Sequence, residues 1–137
     1  MTTETFQKLV IKSRQEDISK VESFVEDILK QNNVSEESYG NILISVIEGV
    51  NNAINHGNKA DESKEVELSY HISDNKKNII FKIKDEGNGF DYNNLPDPTA
   101  PENIENLGGR GVFLMKQLAD MVIFENNGAI VELSFRL

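Results

Sequence analysis

Glu48, Asn52 and Asn55 are separated by helical intervals, and their types and spacing could do chemistry. Around them Leu43, Val46, Ile47, Val50 and Ile54 recur at the i, i+3, i+4, i+7, i+11 spacing of one helical face. The carboxylate and the two amides fall on a different face, where residues four apart stand about 5–6 Å from each other at Cβ. Such a row offers oxygen ligands and hydrogen-bonding groups, open at one side of an otherwise buried helix. A solvated polar face would show the same spacing, so the segment alone does not decide between them.

Two further motifs follow. Asp85-x-Gly87-x-Gly89 stands at the end of a strand pattern. Alternating glycines let the backbone turn tightly and approach a ligand closely, and the aspartate can accept a hydrogen bond from an exocyclic amine such as the N6 of adenine. Gly108-Gly109-Arg110-Gly111 precedes a helix. Backbone N–H groups and the helix dipole favour phosphate at such a place, and Arg110 could add a charged fork to the same anion. This is neither the phosphate loop Gly-x-x-x-x-Gly-Lys-Ser/Thr nor the dinucleotide pattern Gly-x-Gly-x-x-Gly. Taken singly, Asp-Gly turns and loop-ending glycines are commonplace.

The elements that must position these motifs can be read in order. Residues 5–13 contain Leu9, Val10 and Ile11 and predict a short strand. From Asp17 the period changes, with Ile18, Val21, Val25, Ile28 and Leu29 lining a helix whose outer face is charged. Asn32-Asn33 breaks it. Ser35 is placed to cap a second helix, with Glu36 and Glu37 in the first turn, where the dipole favours acid. That helix is expected to reach about His56, with Gly57 as a left-handed exit. Val66, Leu68, Tyr70 and Ile72 alternate, and so do Ile79, Phe81 and Ile83, which predicts an antiparallel hairpin turning at 73–76. Residues 90–108 hold all three prolines and no apolar period, a length usual for a lid, a binding loop or disorder. A helix with Val112, Leu114, Met115 and Leu118 follows, Met115 being read as core. A last hairpin turns at Asn126-Asn127-Gly128. The order β-α-α-β-β-lid-α-β-β predicts an α+β two-layer sandwich, helices on one face of a mainly antiparallel sheet.

Bulk composition narrows the function. The 137 residues fit one domain spanning 1–137. A net charge of −9 excludes non-specific nucleic-acid binding and an anionic membrane surface, both of which need clustered Lys and Arg. An anionic cofactor remains possible if backbone N–H groups and a divalent cation meet its charge. No apolar run is long enough to span a bilayer and no leader pattern opens the chain, so a cytoplasmic protein is expected. The sequence has no cysteine, which excludes thiol catalysis and thiolate ligands, and its two histidines, His56 and His71, exclude a multi-histidine zinc site.

A helix with Glu-x-x-x-Asn, then Asp-x-Gly-x-Gly, a long lid, and Gly-x-Gly opening a helix resembles the N, G1 and G2 boxes of the GHKL (Bergerat-fold) ATP-binding superfamily, which includes gyrase, histidine kinases and MutL. The resemblance spans residues 35–135. Within the superfamily, Glu48-Gly49-Val50-Asn51-Asn52-Ala53-Ile54-Asn55-His56-Gly57 and the Gly109-Arg110-Gly111-x-x-Leu114-Met115 stretch are most similar to the bacterial anti-sigma factors that act as serine/threonine protein kinases. The bare ATP-binding domain, without sensor or phosphoacceptor helices, also looks like that group.

The resemblance implies a Bergerat fold, ATP/ADP with Mg²⁺, and a lid at about 90–108. It implies that Glu48 is the general base toward a serine hydroxyl, that Asn52 is the Mg²⁺ ligand, and that Asp85 reads the adenine amine. Gly87 and Gly89 would shape the base pocket, while Gly108, Gly109, Arg110 and Gly111 would hold the triphosphate and Asn55 and His56 would lie near the phosphates. The implied partners are an anti-anti-sigma (STAS-type) protein as phosphoacceptor and a sigma factor or other regulatory protein as competitor, with a homodimer common in the family. One position departs from the family. Gly128-Ala129-Ile130-Val131 carries no hydroxyl where a threonine often supports adenine. A nucleotide-gated anti-sigma or adaptor module without catalysis, and the detached catalytic domain of a histidine phosphorelay, are the alternative functions.

Overall fold

The computed structural model describes residues 7–87 and 110–137. Within them five strands form one antiparallel sheet: Gln7–Lys12 (β1), Glu65–Ile72 (β2), Asn78–Lys84 (β3), Met121–Glu125 (β4) and Ile130–Arg136 (β5), in the order β1-β2-β3-β5-β4. Successive side chains point to opposite faces of a strand, and the register places inward apolar residues opposite one another. Ile11 faces Val66, Leu68 faces Ile83, Phe81 faces Leu133 and Ile83 faces Val131. A slip of one residue would turn every one of these toward water, so burial fixes the register. Phe81 is fully buried at the centre, its ring stacked obliquely toward Tyr70 and edge-on to Phe135.

Helices Ile18–Gln31 (α1), Glu36–Asn52 (α2) and Arg110–Leu118 (α3) contribute to the same core as those inward residues. This is the α+β two-layer sandwich expected from the order of elements. Val21, Val25, Ile28 and Leu29 bury the inner side of α1. Asn33, at φ 52°, ends it. The Ser35 hydroxyl accepts the Ser38 N–H (3.3 Å) and caps α2 as predicted. On α2 the buried apolar side chains are Ile42, Val46 and Val50, whereas Leu43 and Ile47 are only half-buried. The buried sector is therefore turned slightly from the expected one, and Gly49 lies inside it. A methyl group at Gly49 would overlap Ile83 and crowd Met115, so the missing side chain lets β3 and α3 close on α2. No helix among the described residues is long and apolar enough to cross a membrane.

One local expectation is corrected. The second helix does not run regularly to His56, nor does Gly57 leave it in a left-handed conformation. The α-helix stops at Asn52 and continues as a wider π turn, Ala53–Gly57. There the Asn58 N–H reaches the Ala53 carbonyl (2.8 Å) and the Ala60 N–H the Ile54 carbonyl (2.7 Å). The left-handed residues come later, at Lys59 (φ 53°) and Ala60 (φ 56°). Widening the turn re-aims everything after Asn52, as π-bulges do at functional sites.

The link from β1 to α1 is pinned by Asp17, which is buried. Its Oδ2 accepts the Lys12 N–H (3.0 Å) and its Oδ1 the Arg14 Nε–H (2.9 Å), with Lys20 Nζ at 3.6 Å. Loss of water alone would raise the carboxyl pKa; the Lys12 amide and the Arg14 and Lys20 charges outweigh it and hold the group below its ordinary value. The stabilisation is therefore complete above the unfolded carboxyl pKa and disappears as pH falls through the lower, folded one. Asp17→Asn is expected to lower unfolding stability at pH 7 by about 1–2 kcal/mol and to flatten the acid limb of the stability curve. Urea denaturation from pH 7 down into the acid range checks both, and an unchanged midpoint at pH 7 would remove Asp17 as the anchor.

Candidate functional site

The end of α2 and the end of β3 meet. Asp85 directly follows β3 and is buried; its N–H donates to the Ala129 carbonyl (2.9 Å), and its Oδ1 accepts the Gly87 N–H (2.8 Å). Behind the carboxylate stands Gly57. A methyl group there would occupy the space of the Asp85 carboxyl, and one on Gly87 would run into the Gly57 carbonyl. The glycines of two motifs nearly thirty residues apart are thus required by one close approach. Burial pushes the Asp85 carboxyl above its ordinary pKa, and the Gly87 amide and the Lys64 charge offset this only in part.

Asp85 and Asn52 line the same narrow cleft, whose volume open to a water-sized sphere is about 10 Å³. Gly49, Ala53 and Ile83 form its base, Met115 belongs to the α3 side, and Phe124, Gly128 and Val131 come from β4, β5 and the turn between them. None of these lining residues carries a hydroxyl. Met115, Ile83 and Val131 supply apolar walls, and Asp85 is the one charged group among the lining residues. This is the usual make-up of a small-molecule site, apolar walls with few polar groups.

Asn52 is buried, and its Nδ2 has no hydrogen-bond partner among the described residues. Such an orphaned group in a cleft wall points to a missing ligand or water. The Oδ1 of the preceding Asn51 is also buried and unpartnered among the described residues. Glu48, one turn before Asn52, is half-buried and lies outside the cleft lining. At about 100° per residue Asn52 is turned about 40° from Glu48 toward the core, which separates the inner amide from the outer carboxylate.

Other motif residues fall as follows. Asn55 is exposed and His56 half-buried on the π turn, so neither joins Asn52 in the cleft wall. Gly57, read from sequence as a helix exit, instead backs Asp85. Gly89, Gly108 and Gly109, the segment 90–108 and the Arg110 side chain lie outside the described residues; the backbone of Arg110 and Gly111 begins α3. The sequence reading missed the cleft roles of Met115, Phe124 and Val131. The inward alternation of Phe124 and Val131 on a hairpin was the available signal, and Met115 is both core and cleft wall.

A buried aspartate at a strand end, a glycine-backed approach and a buried asparagine on the facing helix meet in one cleft of an α+β sandwich. The chain belongs to the histidine kinase-like ATPase domain family, whose pattern residues 11–135 match. Among curated proteins it is similar to the serine-protein kinase RsbW of Oceanobacillus iheyensis, 32% identical over 103 residues that cover 71% of this chain and 64% of that protein. The proteins of the same name from Listeria innocua (29% over 94 residues, 64% of this chain and 59% of the relative) and Bacillus subtilis (28% over 95 residues, 65% and 58%) are also similar. In each case the match covers less than two thirds of the relative's own length.

The raised pKa of Asp85 has a consequence for stability. An acid whose folded pKa lies above its unfolded one loses stability as pH rises from the unfolded toward the folded value, because the unfolded state ionises first. Asp85→Asn keeps an acceptor for the Gly87 N–H and removes the buried charge. The variant is expected to be at least as stable as the wild type at pH 7, and to lack the decline. Thermal melts between acid and neutral pH test this; a variant clearly less stable at pH 7 would show the carboxylate to be fully compensated.

Proposed function

We propose that the protein is a serine/threonine protein kinase that binds Mg-ATP in the cleft between α2, β3 and β5, one nucleotide-binding domain acting in the cytoplasm. The observation that carries this reading is the meeting of Asn52 and Asp85 in one cleft, with Glu48 one helical turn outside it. Asp85 would accept a hydrogen bond from the adenine amine, beside the apolar walls. Asn52 would hold Mg²⁺ through its side-chain oxygen; one protein amide suits a cation that prefers to keep water and phosphate oxygens as ligands. When bound, it neutralises the charge that builds on the phosphates.

The chain's own part in transfer is positioning and proton removal. Glu48, one helical turn before Asn52, takes the proton of a partner serine hydroxyl as the serine oxygen bonds the γ-phosphorus and the bond to the ADP oxygen breaks. The products are a phosphoserine, ADP and a proton passed through Glu48 to water. The motif resemblance and the serine-protein kinase relatives support a protein acceptor. An anti-anti-sigma (STAS-type) partner fits this role, and a sigma factor is the competing partner whose capture depends on the nucleotide state.

Glu48→Gln is expected to bind Mg-ATP with unchanged affinity and to transfer phosphate about 10²–10⁴-fold more slowly, the usual loss of a general base. Calorimetric titration paired with radiolabel transfer to a STAS-type partner measures both. Normal transfer by the variant would remove Glu48 from the mechanism. No transfer by the wild type would favour a nucleotide-gated binding module, and acid-labile label would indicate histidine chemistry.

A further inference from the structure

We propose that Asn58 is a positioning residue for Asp85, fixing the depth at which the carboxylate meets the nucleobase; this rests on the nucleotide reading above. Asn58 is fully buried. Its Nδ2 donates to Ser13 Oγ (2.8 Å) and to the Glu65 carbonyl (3.0 Å), and its Oδ1 accepts the Glu86 N–H (2.8 Å). Both amide donors and the amide oxygen are therefore engaged. Ser13 is itself tied to the Lys64 carbonyl through its hydroxyl (2.8 Å). One side chain thus joins the exit of β1, the start of β2 and the residue that follows Asp85.

Asp85 is held from two directions as a result. Its own N–H is fixed on Ala129, and the next N–H along the chain is fixed on Asn58. The Glu86 carboxylate adds a strap to the Glu65 N–H. Such restraint has a physical purpose, because a buried carboxylate gains free energy by moving toward water. A loosened strand end would let Asp85 do so. Asn58 also follows Gly57 directly, and its N–H closes the π turn on Ala53. The same residue therefore sets both the wall behind the carboxylate and the strand that carries it. Asn58 does not line the cleft and touches no substrate; it acts through Asp85.

The test compares the binding of Mg-ATP with that of Mg-purine riboside triphosphate, which lacks the 6-amino group. It uses wild type, Asp85→Asn, Asn58→Ala and the milder Ser13→Ala, each well below its melting temperature. The wild type is expected to prefer ATP, and Asp85→Asn to lose the preference. Asn58→Ala should weaken ATP binding about tenfold, the effect of one lost hydrogen bond to a charged group, while its affinity for the desamino nucleotide stays unchanged. Ser13→Ala, which frees one anchor of the Asn58 amide far from the cleft, should move the preference in the same direction by less, and it carries the test where Asn58→Ala does not fold. A purely structural role would lower melting temperatures and leave the preference intact, which would overturn the proposal. Absence of any preference in the wild type would overturn the adenine reading itself, and the positioning role with it.

Discussion

The contact of the Asp85 carboxyl with Gly57 is the constraint on which the rest of the site depends. A carboxylate is costly to bury, and here it sits against a backbone that has no side chain to yield. For that contact to form, α2 must end in a turn that brings Gly57 inward, and β3 must end level with it. Gly87 must then lack a side chain as well, because its Cα faces the Gly57 carbonyl. The sheet order supplies the level, since β5 lies beside β3 and the Ala129 carbonyl takes the Asp85 N–H. The π turn supplies the approach. A regular α-helix continued through Gly57 would carry it on around the axis at about 100° per residue.

Much of this was legible in the sequence, and what was not has a common cause. Periodicity showed α1, the β2–β3 hairpin and the closing hairpin, because each is set by which side chains meet the core. The Ser35 cap was legible because it is local. The π turn was not. Its geometry is tied to hydrogen bonds that Asn58 donates to Ser13 and Glu65 and accepts from the Glu86 N–H, and of these Ser13 and Glu86 lie far from it along the chain. For the same reason Gly57 read as a helix exit; a glycine needed for tertiary contact looks identical to one needed for its φ. The α2 face was displaced for a related reason, since Gly49 does not score as apolar yet lies at the point where β3 and α3 press on the helix. Asp85 and Asn52 were identifiable by type and spacing, but their shared cleft depends on Phe124, Val131 and Met115, whose alternation reads as ordinary core.

Two polar groups on α2 differ in burial. Asn52 is buried in the cleft wall, and under the proposed function it is the group that would meet the cation. Glu48 is half-buried and outside the lining, and under the same proposal it is the base that would meet a hydroxyl brought by another molecule. Four residues on the same helix would place them side by side if the helix were viewed as a flat strip. The turn of about 40° between them accompanies the difference: Asn52 is in the cleft wall and Glu48 is outside it. The chain's net charge of −9 makes this arrangement more demanding, because an anionic ligand gains nothing from the overall field and must be met by local groups.

Two buried aspartates show how structure and site differ in electrostatic design. Asp17 and Asp85 are nearly equally hidden from water, at 3% and 5% exposure. Desolvation is the largest influence on both. Around Asp17, however, the chain places an amide, a guanidinium and an ammonium group, and the balance falls below the ordinary carboxyl value. Around Asp85 it places a single amide and a distant lysine, and the balance stays above it. The first carboxylate is satisfied by its own protein. The second has fewer charged and amide partners, and it lines a cleft together with Asn52, whose Nδ2 has no hydrogen-bond partner among the described residues. A fold selected only for stability would have completed the set at Asp85 as it did at Asp17, or replaced the acid. Leaving it incomplete makes sense when the missing hydrogen bond comes from a ligand, and such unfinished groups at a cleft are a physical mark of function.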